Sequence, residues 1–324
     1  MNRRHILHGG ALMSAAPSLL IAAGVDAPLS PFGEDSTAEE VTDGLDLTEK
    51  TALVTGVNTG IGYETMRVLA LRGAHVLGTA RTAEKGQIAC ASVVGRATPL
   101  VLELSDFDSV VACADAAQAQ AGSIDILVCN AGVLLNELQQ VRGLEMHFVV
   151  NHLGHFILVN RLLEAVLAAP EGRVVVVSSH AHRSAPADGI QFDNLAGAGD
   201  FDRQAFYGHS KLANGLFSHE LARRLEGSNA TSNSLHPGVV VTNIARNLPA
   251  WQEAIFRFAG SVFLKSVEEG AATSCYVATN PDLADVSGCY FSDCNPVTPS
   301  ANMRDDAMAE RLWSVSEELT RPYL

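Results

Sequence analysis

The sequence lacks the features that would place the protein in several large functional classes. Its 324 residues contain only 22 Lys and Arg against 36 Asp and Glu, for a formal net charge of -14. Nucleic acid and anionic membranes are disfavoured as partners, because a non-specific grip on either needs clustered positive charge. No apolar run reaches the roughly 20 residues that span a bilayer, and no internal repeat is apparent. We therefore expect a small-molecule partner and no membrane span in the mature form.

Cysteine is scarce and poorly arranged for a metal site. The six cysteines include no CxxC pair and lie mainly within apolar patterns, which is typical of buried thiols. Cys289 and Cys294 are close enough in sequence to form a bridge in an oxidising compartment, but the pattern does not require one. The sequence therefore predicts no metal site.

The amino terminus has the pattern of an export signal. Arg3 and Arg4 precede a weakly apolar segment rich in Gly and Ala, which resembles a bacterial twin-arginine signal. We divide the chain into a signal peptide at 1–27, a flexible leader at 28–47 and one domain at 48–324. This division predicts the bacterial periplasm. The alternatives are a cytoplasmic protein with a disordered extension and an uncleaved anchor.

What the chain does contain is a Gly-rich turn between a predicted strand and a predicted helix. The turn reads Thr55-Gly-Val-Asn-Thr-Gly-Ile-Gly62, so its glycines fall as G-x3-G-x-G rather than G-x-G-x-x-G. Glycine lets a backbone turn tightly and approach a pyrophosphate, and the free N–H groups of the following helix suit an anion. An ordinary loop is the alternative, but the strand before and the helix after favour nucleotide binding.

Strand-length apolar segments alternate with helical patterns through the domain. Strands are predicted near 51–54, 74–80, 97–104, 124–130, 172–178, 231–235 and 289–292, and helices near 61–72, 105–121, 144–168, 204–225, 266–278 and 304–319. The alternation predicts an α/β fold, a single-domain, Rossmann-like, doubly wound parallel sheet of about seven strands with helices on both faces. Such a sheet binds its ligand at the carboxyl ends of the strands.

Four polar residues are candidates for proton chemistry. Tyr207 and Lys211 are four residues apart in a predicted helix, so they share one face. A nearby ammonium favours the phenolate, which suits proton exchange with an alcohol or a carbonyl. Ser179 follows a buried strand and can donate a hydrogen bond to the same substrate oxygen, whereas Ser178 is the competing serine. Asn151 can hold water or a backbone carbonyl in a proton path.

Together with the Gly turn, Asn130-Ala-Gly132 and His236-Pro-Gly238, these residues resemble the short-chain dehydrogenase/reductase family over about residues 48–320. The resemblance implies that Tyr207 donates or accepts the proton and that Lys211 binds the nicotinamide ribose and lowers the tyrosine pKa. It also implies that Ser179 polarises the carbonyl and that Asn151 supports a water relay.

The resemblance further implies a set of cofactor-binding residues, and it leaves room for a homo-oligomer. The set is Gly56, Asn58, Thr59, Gly60, Ile61, Gly62, Arg81, Glu103, Leu104, Asn130, Ala131, Gly132, Tyr207, Lys211, Pro237, Gly238, Val240 and Thr242. Two positions depart from the family pattern, because Cys129 stands where Asn is frequent and Glu103 where an Asp often contacts adenine. The stretches Asn151-His-Leu-Gly-His-Phe156 and Tyr290-Phe-Ser-Asp-Cys294 are similar to the retinol dehydrogenase and WW-domain oxidoreductase branch, which implies an apolar carbonyl or alcohol substrate.

Cofactor preference depends on the end of the second predicted strand. NAD-preferring sites place a carboxylate there to bind the ribose 2′-hydroxyl, whereas this chain has Ala80 followed by Arg81. A guanidinium suits a 2′-phosphate, so we expect NADP, with NAD as the alternative cofactor. Arg81 could instead be a solvated charge at a strand end.

Two further expectations concern the substrate side and the class of protein. The aromatic-rich stretch from Trp251 to Phe263 is interpreted as a lid over an apolar substrate, with core packing as the alternative. The rivals to an oxidoreductase are a non-catalytic nucleotide-binding redox sensor and a structural protein of the envelope. The candidate residues for proton chemistry count against the sensor, and nothing in the sequence beyond the export signal favours the structural protein.

Overall fold

The structure, a computed structural model, describes residues 27–199, 202–240 and 265–324. Its main sheet has eight strands, and a separate two-stranded hairpin precedes the fourth helix. The strands are β1 (Thr51–Thr55), β2 (His75–Ala80), β3 (Arg96–Val101), β4 (Ile126–Cys129), β5 (Gln140–Val141), β6 (Leu144–Glu145), β7 (Gly172–Val177), β8 (Ala230–His236), β9 (Tyr290–Ser292) and β10 (Asn295–Pro296). The predicted signal peptide falls almost wholly outside the described residues.

Helices follow most of the strands and cover both faces of the sheet. They are α1 (Gly60–Leu71), α2 (Ala83–Ala91), α3 (Phe107–Gln120), α4 (Gly154–Leu167), α5 (Arg203–Arg224), α6 (Val267–Thr279) and α7 (Asp306–Thr320). One apolar cluster joins the sheet to α3, α4 and α5, and a second joins it to α1 and α6. Within the described ranges, no helix is both long and apolar enough to cross a membrane.

The order of the sheet is β10-β9-β8-β7-β4-β1-β2-β3. All its strand pairs are parallel except β9 with β10, where the short edge strand runs antiparallel. The chain moves outward from β1 to β3 and then returns to β4 on the other side of β1. The ends of β1 and β4 therefore meet at a topological switch point, where doubly wound sheets bind ligands. This confirms the predicted α/β fold.

The predicted helix at 144–168 is wrong at its beginning. Arg142 and Gly143 have φ values of 56° and 75°, and they form the turn of the β5–β6 hairpin. The chain then enters a π-helix at Phe148–Leu153 before α4 begins. Periodicity alone does not separate these pieces, since the apolar residues continue through them. The helix α2 was not predicted at all.

Several side chains of residues 28–47, the predicted flexible leader, are buried against the rest of the domain. Ala38 is fully buried and Val41 is 4% exposed. The Ala38 N–H donates to the Glu268 carbonyl at 2.9 Å, and Arg67 of α1 pairs with Glu39 at 2.6 Å. The leader thus covers apolar surface of α1 and α6, although its only regular element is a short 3-10 turn at Glu40–Thr42.

Candidate active site

The Gly-rich turn joins β1 to α1, as its sequence predicts. Gly56 and Gly60 have positive φ values of 77° and 61°, which glycine adopts without strain. A β-carbon at Gly62 would collide with the carbonyl oxygen of Gly56 and with Nδ2 of Asn130. The turn is therefore built for close backbone approach, and Asn58 and Thr59 are exposed at its tip.

Thr55 ties the Gly turn to the end of the neighbouring strand β4. Its hydroxyl accepts hydrogen bonds from the N–H groups of Asn130 and Ala131, both at 2.9 Å. The Asn130 side-chain amide donates back to the Thr55 carbonyl at 2.9 Å. A β-carbon at Gly132 would lie 3.1 Å from Oδ1 of Asn151 and 3.6 Å from Nζ of Lys211. The end of β4 is thus the junction between the nucleotide turn and the candidate residues for proton chemistry.

Tyr207 and Lys211 lie on one face of α5, as expected from their spacing. The Lys211 ammonium lies 5.7 Å from the centre of the Tyr207 ring and donates to the Val177 carbonyl at 2.9 Å. Asp202 caps the start of α5 by accepting from the N–H groups of Gln204 and Ala205. The cap fixes where the helix begins and thereby aims Tyr207 at the carboxyl end of β7.

The two adjacent serines have different surroundings. Ser178 is buried, and its hydroxyl donates to the Lys211 backbone carbonyl at 2.6 Å. Ser179 is partly exposed, its Oγ accepts from the Ala181 N–H at 3.1 Å, and its hydroxyl is near enough to the Tyr207 hydroxyl to lower the tyrosine pKa. Ser178 is therefore occupied in packing the strand against α5, and Ser179 is the serine that faces the tyrosine.

Asn151 lies within the π-helix and is completely buried. Its Oδ1 accepts from the Val133 N–H at 2.8 Å, while Nδ2 donates to the Val133 carbonyl at 3.1 Å and to Ser210 at 2.9 Å. Its backbone carbonyl accepts a hydrogen bond from Nδ1 of His155 at 3.1 Å. The side chain thus holds the loop after β4. Short π-helical turns are frequent at functional sites.

Burial is the main influence on the pKa values of Tyr207 and Lys211. It raises the pKa of Tyr207 to about 12, with the Ser179 hydrogen bond acting in the opposite direction. It lowers the pKa of Lys211 to about 8. The resemblance implied that Lys211 lowers the pKa of Tyr207. In the protein without cofactor, the burial of Tyr207 has the larger effect and raises its pKa. At neutral pH the phenol is protonated, which suits a proton donor.

The region expected to bind the adenosine has a second basic residue that sequence analysis missed. Arg81 is exposed at the end of β2 and forms no hydrogen bond or ion pair with the described part of the chain. Thr82 caps α2 by accepting from the Lys85 N–H at 3.3 Å, and Lys85 is exposed as well. Lys85 thus lies in the first turn of the unpredicted helix α2, four residues after Arg81 in the chain.

The remaining predicted cofactor residues line the carboxyl edge of the sheet. Oε1 of Glu103 accepts from the N–H and hydroxyl of Ser105 at 3.2 and 2.8 Å, and Leu104 is buried against Gly154. Ile61 is partly buried in the first turn of α1. Gly238 follows Pro237 with a φ of 87°.

Val240 forms an isolated parallel bridge with Lys265. Thr242 and the predicted lid at Trp251 to Phe263 lie outside the described residues. All six cysteines are buried thiols, so the structure contains no Cys289–Cys294 bridge.

These features fit a bound dinucleotide. The Gly turn leads into the start of α1, where free N–H groups suit a phosphate, Asn58 and Thr59 are exposed at its tip, and Arg81 is exposed at the end of the neighbouring strand β2. The switch point beside a Tyr, Lys and Ser group defines the class as a dinucleotide-dependent oxidoreductase of the doubly wound type.

Comparisons with known proteins agree with this class. Residues 50–253 match the short chain dehydrogenase family. The chain is 39% identical over 303 residues to short-chain dehydrogenase TIC 32 A, chloroplastic, from Brassica napus, covering 90% of this chain and 94% of that one. It is 41% identical over 286 residues to human retinol dehydrogenase 11, covering 86% and 88%. It is 36% identical over 310 residues to the WW domain-containing oxidoreductase of Gallus gallus, covering 90% and 73%.

Solved structures show the same similarity. A crystal structure of an uncharacterized protein from Mycobacterium Paratuberculosis superposes with a TM-score of 0.71 at 31% identity, covering 87% of this chain and 97% of that one. A short chain dehydrogenase from Burkholderia cenocepacia in complex with NADP has a TM-score of 0.61 at 25% identity, covering 76% and 96%. The chain belongs to the short-chain dehydrogenase/reductase family and is an NAD(P)-dependent oxidoreductase.

Proposed function

We propose that the protein interconverts an apolar carbonyl compound and its alcohol, with NADP(H) as the preferred cofactor. The observation that carries this proposal is the convergence of Ser179, Tyr207 and Lys211 beside the Gly turn. The similarity to retinol dehydrogenase 11 supports an apolar substrate.

When bound, the nicotinamide supplies or accepts the hydride. In the direction of reduction, Tyr207 donates its proton to the substrate oxygen, and Ser179 holds that oxygen by a hydrogen bond. In oxidation Tyr207 takes the proton back. Lys211 places a buried positive charge near the ring and so stabilises the phenolate that remains after proton donation. Asn151 holds the loop after β4 beside these residues, and its support of a water relay is proposed from the resemblance to the family.

Preference for NADP is proposed from the two exposed cations at the end of β2. Arg81 and Lys85 are both exposed, and in this proposal they bind the 2′-phosphate. Ala80 has no carboxylate that could bind a ribose 2′-hydroxyl. The NADP bound to the Burkholderia cenocepacia relative supports the same choice.

The decisive experiment is a titration of the purified protein with NADPH and with NADH, followed by an absorbance assay against aldehydes, ketones and alcohols of increasing chain length. We expect NADPH oxidation with apolar carbonyls, and greater efficiency for longer chains. Binding of either cofactor without turnover of any member of the panel would instead identify a nucleotide-binding sensor.

Export by the twin-arginine route is proposed from Arg3 and Arg4 and the segment after them. Replacement of both residues by Lys keeps the charge and removes the arginine pair. We expect this variant to remain in the cytoplasm while the native chain is recovered from the periplasm. Equal periplasmic recovery of the two would contradict the proposal.

A further inference from the structure

The loop that follows β4 is held by two side chains from the segment that leads into α4. Asn151 binds both backbone groups of Val133, as described above. Two residues further along the loop, the Leu135 N–H donates to Nε2 of His147 at 2.8 Å. The loop begins at the carboxyl end of β4, where a doubly wound sheet binds its ligands, and Leu134 and Leu135 are partly exposed there.

The hydrogen bonds of His147 determine where its ring proton lies. An N–H group can only donate, so the Leu135 N–H requires a lone pair on Nε2 of His147. The neutral ring therefore carries its proton on Nδ1, which lies 2.7 Å from Oε1 of Glu145. Glu145 is itself fixed, because its carboxylate also accepts from the N–H groups of His147 and Phe148 at 2.9 and 3.0 Å.

His147 also contacts the ring of the proposed proton donor. The rings of His147 and Tyr207 meet edge to face, with centres 6.1 Å apart and an angle of 68°. Glu145 and His147 are 2% and 0% exposed, so they form a buried pair rather than a surface one. One imidazole thus connects the loop after β4, the buried carboxylate and the tyrosine.

We propose that His147, oriented by Glu145, is a positioning residue that holds the 133–135 loop beside Tyr207 and so places apolar substrates for reaction. This inference rests on the proposed function for its kinetic consequences but not for its structural ones. The lone pair on Nε2 is the part of the ring that acts on the loop, and the proton on Nδ1 serves only to keep the ring in that orientation.

Two conservative substitutions separate these roles. His147→Gln puts an amide oxygen near the position of Nε2, so it keeps an acceptor for Leu135 and gives up the donor to Glu145. His147→Asn keeps a donor near the position of Nδ1 and leaves the Leu135 N–H without its acceptor. Loss of the partner of a buried donor is expected to raise KM for a long apolar carbonyl roughly tenfold in the Asn variant. The Gln variant is expected to stay within about threefold of the native protein.

The structural readout is hydrogen exchange of the segment 131–140, measured without substrate. We expect the Asn variant to exchange faster there and the Gln variant to keep most of the native protection. The matched control is the pair His219→Gln and His219→Asn, since His219 pairs with Asp306 at 2.7 Å away from this loop. Both control variants should leave exchange at 131–140 and KM unchanged.

The outcomes distinguish this inference from the proposed function. Equal exchange and equal KM in the Gln and Asn variants of His147 would overturn the positioning role. So would a loss of kcat without any change in KM or in exchange. If the native protein turns over no carbonyl, the proposed function fails, but the exchange of 131–140 in the two variants still decides whether His147 holds the loop.

Discussion

The two halves of the site are constructed from different materials. The nucleotide half uses backbone groups and glycines, with Thr55 and Asn130 joining the ends of β1 and β4 by hydrogen bonds of 2.9 Å. The proton-transfer half uses polar side chains brought out of water, among them Lys211 at 4% exposure and Asn151 at 0%. Cofactor binding by the first half should therefore be sensitive to added side-chain volume. Catalysis by the second half should be sensitive to the loss of a single functional group.

The largest effect is expected in the proton-transfer half. Tyr207→Phe keeps the ring but removes the hydroxyl, and general acid catalysis of this kind is typically worth roughly 10²- to 10⁴-fold in rate. We expect kcat to fall by that factor while the dissociation constant of NADPH changes little. Stopped-flow turnover and fluorescence titration measure the two quantities, and near-native kcat in a folded variant would remove Tyr207 from its role.

The opposite pattern is expected for the nucleotide half. Gly62→Ala adds one carbon that collides with Gly56 and Asn130, and overpacking costs about 1–3 kcal/mol. If the turn moves to relieve the collision, NADPH binding weakens by roughly ten- to a hundredfold. Gly122→Ala is the matched control, because a β-carbon at Gly122 meets no atom within 4 Å. Equal NADPH affinity in the two variants would contradict the steric account of this half.

The third prediction concerns the preference for NADPH over NADH, which we assign to Arg81 and Lys85 at the edge of the nucleotide half. A charge-assisted hydrogen bond contributes about 1.5–3 kcal/mol, so Arg81→Ala should reduce the preference for NADPH over NADH by roughly ten- to a hundredfold. Lys85→Ala should produce a smaller loss in the same direction, and Arg304→Ala, at an exposed residue elsewhere, should produce none. Measured dissociation constants for both cofactors decide the matter. An unchanged ratio in the Arg81 variant would mean that this residue is only a solvated charge.

The smallest effect concerns a region outside both halves. Val41→Ala in the packed leader removes two buried methyl groups and should lower the free energy of unfolding by about 1–2 kcal/mol. Val94→Ala, at a side chain 75% exposed, should change it by less than about 0.5 kcal/mol. Denaturant unfolding provides the comparison, and kcat should be native in both variants. Equal stability of the two variants would mean that Val41 is not packed in the folded protein, as expected for the flexible leader predicted from sequence.

Much of the fold was predictable because the strands are short apolar runs separated by helical periodicity. The spacing of Tyr207 and Lys211 and the order of strand, Gly turn and helix follow from local geometry. Local patterns did not separate β6 and the π-helix from α4, because the apolar residues continue the helical pattern through all three. Lys85 was missed together with α2. The roles of Glu145 and His147 depend on a loop ten residues earlier in the chain, so no local pattern could indicate them.

The packed leader also has a consequence for when the chain can finish folding. The Ser30 N–H donates to the side chain of Asn295, so this contact closes a loop of 265 residues. During synthesis, Ser30 leaves the ribosome early but finds its partner only when nearly all of the chain has been made. The leader can therefore form all of its native contacts only after translation is almost complete.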